Sequence, residues 1–260
     1  MSVPETALAL FDRSAASIER AVAAGESVEA EAIHQLRVGT KRIRAVLSLV
    51  AAIDPAFDPG GAARKLKRLF AAAGLLRDND VQLALARRIG DESAVSPALT
   101  VASLEAQRAR ALKAYRDAAA RFDIAAHSKL RSRISTTLQH LDSRSIGTLA
   151  HATLARWIDG LEHTPDEDLH EVRKRTKQTH ALTWMLARAT PDRRTRAAEQ
   201  RLDKLQKLLG EWHDLVVAET LAIDRDYLAE VTRRRIADEA KIRRRFAALR
   251  RSPLRIGTGL

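Results

Sequence analysis

Apolar residues recur at helical spacing from one end of the chain to the other, and no stretch shows the strict alternation of a half-buried strand. Leu8, Phe11, Ala15, Ile18 and Val22 mark a first helix over residues 5–24, with Gly25 as its stop. Ile33, Leu36, Ile43, Leu47 and Val50 mark a second over 29–53, closed by Asp54-Pro55 because a residue before proline avoids the helical region. Asp58 as N-cap and Pro59 at the first helical position open a third, which reaches about Gly74. Leu75 to Asp80 reads as a break before a short segment over 81–89, and Ser96-Pro97 opens a long amphipathic helix through Leu104, Leu112 and Tyr115. Polar residues accumulate over 123–143, although Leu130, Ile134, Leu138 and Leu141 keep a helical spacing, and the boundary between two halves is expected there. Thr164-Pro165-Asp166-Glu167 starts a helix that Thr190-Pro191 closes; a long one follows over 193–224, a last one runs to about 250, and the tail 251–260 should fray.

On the second helix the polar residues form a row. At the helical turn of 3.6 residues, His34, Arg37, Lys41 and Arg44 fall within an arc of about 80°, and the buried stripe of Ile33, Leu36 and Ile43 is centred roughly 110° away. The row therefore borders the core instead of opposing it and is expected to face a cleft. The same row returns 136 residues later as His170, Arg173, Lys177 and His180.

At that constant offset, with no gap, Leu66 pairs with Leu202, Leu69 with Leu205, Gly74 with Gly210, Asp78 with Asp214 and Val81 with Val217. A shared His, two shared basic residues and a shared Gly-x-x-x-Asp point to an internal duplication. The expected architecture is all-α, a single domain over 1–250 built of two four-helix halves, 1–137 and 138–250, related by a pseudo-twofold axis.

Charge strengthens the picture. Forty-five Lys and Arg against 33 Asp and Glu give a net charge of +12, which favours a polyanionic partner. If the two rows face each other at about 10 Å, each like-charged pair costs on the order of 1.7 kcal/mol at an effective dielectric of 20. A bound polyanion removes that cost. Lys65 and Arg68 match Arg201 and Lys204 and are expected to extend the basic surface; Arg77 and His213, just beyond the repeated glycine, are secondary candidates. Asp78 and Asp214 read either as helix N-caps or as groups that orient a neighbouring Arg or His. Gly74 and Gly210 read as helix ends or close-packing points, and Trp157, Trp184 and Trp212 as core.

Other chemistries find little support. The chain has no cysteine, so there is no disulfide framework or thiolate metal site, in keeping with a reducing, cytoplasmic setting. There is no N-terminal signal pattern and no run of about 18 apolar residues, so neither export nor membrane insertion is expected. His34 and His170 have basic residues on the following turns and no carboxylate at ligand spacing, which argues against a metal site. Neither a phosphate-cradling Gly-x-x-x-x-Gly-Lys-Ser/Thr loop nor a Gly-x-Ser-x-Gly elbow is present. No catalytic residue and no cofactor are therefore expected.

The stretch His34-x-x-Arg37-Val38-x-x-Lys41-Arg42-x-Arg44, the later Leu76-Arg77-Asp78-Asn79-Asp80-Val81, and their second copies resemble the CHAD family of α-helical domains. The resemblance implies two four-helix bundles around a basic central pore, binding of inorganic polyphosphate, and association with polyphosphate granules. It implies that His34, Arg37, Lys41, Arg42, Arg44, His170, Arg173 and Lys177 line the pore. The second copy departs from the first in having Gln178 and His180 where the first has Arg42 and Arg44. Many relatives carry an attached domain of the triphosphate-tunnel class, for which 260 residues leave no room, so a free-standing binding module is expected.

The residues agree independently. From 34 to 44 the row spans about 15 Å along the helix axis, longer than one phosphate needs and suited to a linear polymer. Arg offers forked hydrogen bonds to phosphate, Lys a mobile point charge, and His a donor near neutrality. Two rivals are a nucleic-acid binder using phosphate contacts and the Arg-rich last helix, and a phosphate-transferring enzyme that would need a metal and a carboxylate pair.

Overall fold

The structure is a computed structural model that describes residues 2–24, 30–123, 125–140, 142–190 and 192–257. Among these residues there are nine helices and no strand: α1 (Val3–Ala23), α2 (Ala30–Ile53), α3 (Gly60–Ser93), α4 (Ala98–Ala120), α5 (Ala125–Gln139), α6 (Ser143–Glu162), α7 (Leu169–Ala189), α8 (Arg193–Leu221) and α9 (Arg225–Arg251). The expected roles of Gly25, Glu29, Leu141 and Pro191 lie outside the described residues. None of the helices is long and apolar enough to cross a membrane, among the described residues.

The starts and stops follow local chemistry. Ser2 and Glu5 close a capping box on α1, Asp142 accepts from the Arg144 and Ser145 amides at the head of α6, and Asp192 does the same for Arg194 and Thr195 on α8. Asp58 sits one residue further out than a cap, yet its carboxylate still accepts from the Gly60 amide at 2.8 Å. The head of α7 lies past Pro165: Asp168 is the cap, accepting from the Glu171 amide, so His170 is in the first helical turn and not one turn inside.

Three expectations are corrected. The break at 75–80 does not exist, and α3 runs unbroken from 60 to 93. Its polar stretch is satisfied within the helix and by neighbours: Asn79 bonds back to the Leu75 carbonyl, Asp78 meets Arg37, and Asp80 meets Arg108 on α4 at 2.6 Å. The weakly periodic stretch after 123 is a helix in its own right, α5, which buries Leu130, Ile134 and Leu138 against α1, α2 and α3. It stands between two sets of four helices, α1–α4 and α6–α9, and a division at 137/138 would cut its last turn. The tail does not fray through 257: Leu254 is buried, its amide donates to Glu162, the Gly257 amide donates to Asp192, and Arg201 holds the Ser252 and Pro253 carbonyls.

The order of packing repeats. The neighbours α1·α2, α2·α3 and α3·α4 return as α6·α7, α7·α8 and α8·α9, which matches the duplication in the sequence. Across the two sets, α2 packs on α7 and α3 on α8, each against its own counterpart. One apolar core runs through both halves, from Phe11 and Leu36 to Leu186 and Leu205, and a smaller cluster around Leu83, Leu104, Leu215 and Tyr227 joins the far ends of α3, α4, α8 and α9. The α2·α7 and α3·α8 contacts fix where the two basic rows stand.

Candidate anion-binding site

On α2 the stripe Ile33, Leu36 and Ile43 is buried, and the row beside it emerges in steps: His34 and Arg37 half-buried, Lys41 and Arg44 exposed. On α7 Leu169, Val172 and Leu182 are buried, His170 is exposed, and Arg173, Lys177 and His180 are half-buried. Packing α2 on α7 brings four of these eight residues into one electrostatic cluster: Arg37, Lys41, Arg173 and Lys177.

Their mutual effect is visible in their acidities. Burial pushes the Lys177 ammonium down to about 8, and Arg173, Lys41 and Arg37 push it the same way against the pull of Asp214. Lys41 is lowered first by burial and then by Arg37 and Arg173, with Asp78 opposing. Arg173 is also lowered by burial, with Asp214 and Asp78 opposing and Arg37 adding to the repulsion; its Nε is buried with no hydrogen-bond partner. Lys41 touches solvent and yet is crowded by protein, the combination that a side chain in a concave surface has.

The acidic members come from the repeated Gly-x-x-x-Asp. On α3, Arg37 donates through Nη1 to the Gly74 carbonyl at 2.8 Å and to Asp78 Oδ1 at 3.0 Å. Asp78 is thus an orienting carboxylate in mid-helix and not an N-cap, and Gly74 is a close-packing point and not a helix end. A Cβ at Gly74 would lie 3.2 Å from Arg37 Nη1. Asp214 is likewise mid-helix on α8; burial raises its carboxyl, Asp78 raises it further, and Arg173, Lys177 and Arg77 pull it down. Beside it, His170 packs edge-on to His213 with ring centroids 5.8 Å apart and against Trp212 at 5.1 Å. His213 is pushed down to about 4, by burial first and then by Arg173, Lys177 and His170, and is neutral at pH 7.

The charges of Arg77 and Asp214 and the ring of His213 therefore act within the centre, and Asp78 takes the orienting role that was one of two readings of the sequence. Several first-choice residues stand elsewhere. Arg42 lies over the ring of Trp184, and the charges acting on it are Arg188 and Arg13, so it has left the row. Roughly 100° of helical rotation per residue separates it from Lys41. Arg44 stays with the cluster: it shares the ring of Phe70 with Arg37, at 5.9 and 5.6 Å, and its charge acts on Lys41. His180 faces Glu199 and Asp203, each 3.7 Å from its Nε2, and burial lowers it. Lys65 is paired with Asp123 at 2.8 Å and Arg201 donates to the Ser252 and Pro253 carbonyls; Arg68 and Lys204 are exposed.

Five of the nine arginines of α9 (Arg233, Arg234, Arg235, Arg243 and Arg250) are committed to the fold, whereas Arg244 and Arg245 line an open pocket with Arg201 and Lys241. Arg233 and Arg234 bind Glu230, Arg234 also binds Glu92, Arg235 binds Glu219 and Glu239, and Arg243 donates to the Asp166 carbonyl. Among the described residues no group of three or more His, Asp or Glu is placed to hold a metal ion.

Comparison with known proteins assigns the class. The family model of the CHAD domain matches residues 6–222, and the chain belongs to that family. Among solved structures it is similar to the crystal structure of the CHAD domain from the plant Ricinus communis, with a TM-score of 0.69 and 26% sequence identity over 98% of this chain and 95% of that one. A search of the curated proteins finds no match.

Proposed function

We propose that this CHAD domain binds inorganic polyphosphate, without catalysing its breakdown or transfer, in a basic cleft or pore between its two halves. The observation that carries the reading is the convergence of Arg37 and Lys41 with Arg173 and Lys177, four cations opposed by the two carboxylates Asp78 and Asp214. The excess positive charge is crowded, and part of it is turned against itself. A linear polyanion removes the repulsion, takes forked hydrogen bonds from the arginines, and favours the charged form of Lys177.

Arg37 comes already aimed by Asp78 and Gly74, so less side-chain freedom is lost on binding. His34 and His170, at the head of each row, extend the donors along the helix axis, the direction in which a polymer would run. Association with polyphosphate granules in the cell follows as part of the same proposal. The rival, nucleic-acid binding through the last helix, is disfavoured by the pairing of Arg233, Arg234 and Arg235 with carboxylates.

Calorimetric titration with long-chain polyphosphate, pyrophosphate and single-stranded DNA at two salt concentrations tests the reading. Saturable binding of polyphosphate, with DNA failing to displace it, is expected. DNA binding of equal strength would move the function to nucleic acid, and phosphate release that depends on a divalent metal would make the protein an enzyme.

A further inference from the structure

The three-helix junction of α1, α2 and α7 holds a second concentration of positive charge, built from residues outside the converging rows. Arg188 lies 3.8 Å from the centroid of the Trp184 ring, and Arg42, from α2, lies 4.9 Å from the same centroid. Two guanidinium groups from two helices therefore share one indole. Arg13, on α1, is close enough for its charge to act on Arg42 as well.

Little in the fold offsets this charge. Asp12, next to Arg13 in the chain, is held by Arg131 through two hydrogen bonds of 2.6 and 3.0 Å. Glu199 acts on Arg188 and stands 3.7 Å from His180 Nε2, so it is the one carboxylate that acts on this pair of arginines among the described residues. The charges acting on Arg42 are both positive. Stacking on an aromatic face holds a guanidinium by its flat side and leaves its N–H edge free to point outward, in the plane where phosphate oxygens bind. Arg188 donates to the Trp184 carbonyl at 2.9 Å.

We propose that Arg42 and Arg188, gathered on Trp184, form with the nearby Arg13 a second binding site for condensed phosphate, separate from the Arg37–Lys177 cluster. The choice of ligand rests on the polyphosphate reading; the site itself rests on its own geometry. Arg42 follows Lys41 directly on α2, so a long chain bound at the centre can continue over the shoulder of the helix onto this patch, whereas a short one occupies either site alone. A long polymer then gains from two linked sites.

The indoles separate the two sites experimentally. Trp212 packs against His170 at the centre, Trp184 carries the second patch, and Trp157 belongs to neither cluster. In protein labelled with 5-fluorotryptophan, each of the three gives its own fluorine resonance, assigned by single Trp→Phe variants. Titration with tripolyphosphate is expected to move the Trp184 resonance along a saturable curve and to do so again in Arg37→Ala/Arg173→Ala. In Arg42→Ala/Arg188→Ala the apparent affinity read at Trp212 should hold, while the affinity read at Trp184 falls at least about tenfold. A Trp184 resonance that stays still while that of Trp212 moves overturns the second site and leaves the central one standing. A Trp184 shift that disappears with Arg37→Ala/Arg173→Ala also overturns it, because the signal then comes from the centre. If Trp184 alone responds, the second site stands and the central reading fails.

Discussion

Arg37 Nη1 stands 3.0 Å from Asp78 Oδ1, so the first arginine of the basic row on α2 is held from α3 by the carboxylate of the repeated Gly-x-x-x-Asp. Asp78 also acts on Lys41, Arg173 and His213, which makes it the shared counter-charge of the cluster. Asp78→Asn is expected to loosen the free protein and to strengthen polyanion binding. The gain should be roughly threefold to tenfold at low salt, the order expected for one unit charge at about 10 Å in a partly screened site. Thermal melts and titrations on the variant check both signs; weaker binding would mean that aiming Arg37 matters more than the charge.

The pair of glycines gives a contrast that sequence alone does not. Gly210 has nothing within 4 Å of the position of an added Cβ, whereas at Gly74 that Cβ meets Arg37. Gly210→Ala should stabilise α8 by roughly 0.5–1 kcal/mol, the helix-propensity gain of alanine over glycine, and leave binding alone. Gly74→Ala gains the same propensity but displaces the guanidinium, so affinity should fall while the melting temperature changes little. Denaturation and titration of the two variants side by side decide the matter.

Lys177 links binding to pH. Its folded pKa of about 8 lies below its ordinary value of 10.5, so between these values the unfolded chain binds more protons, and this residue makes the free protein more stable as pH rises through that window. A polyanion reverses the shift. Binding near pH 8 should therefore take up protons, seen as a binding enthalpy that changes with the ionisation enthalpy of the buffer, and Lys177→Gln should remove most of the effect.

His213 gives the acid-side counterpart. Its folded pKa of about 4 lies below the ordinary 6.5, so stability from this group is lost as pH falls from 6.5 towards 4, where a charged ring must sit beside Arg173 and Lys177. His213→Gln should shift the acid-unfolding midpoint to lower pH. An unchanged midpoint would place the acid sensitivity elsewhere.

How much of this was legible depended on whether the deciding interaction was local. The rows on α2 and α7, and the duplication, were readable because helical periodicity and a constant offset of 136 are properties of the chain itself. The CHAD resemblance carried by the same motifs agrees with the family match over residues 6–222. The continuity of α3 was not readable, because Gly74 and the Asp78-Asn79-Asp80 run favour a turn until Arg37 and Arg108, distant in sequence, satisfy the carboxylates. The strapped tail likewise depends on Arg201, Asp192 and Glu162. Lys65 and Arg201 share a helix face with Arg68 and Lys204 to within about 60°, and that remaining angle is enough for Asp123 and the C-terminal carbonyls to claim them.

The most direct test is titration of long-chain polyphosphate into the intact protein, into Arg37→Ala/Arg173→Ala, and into Arg233→Ala/Arg234→Ala as a control for bulk charge. We predict saturable binding to the intact protein, a loss of at least about tenfold when the converging arginines are removed, and a much smaller change in the control. Equal losses in the two double variants would mean that net charge, and not the converging rows, binds the polymer, and the central claim would be wrong.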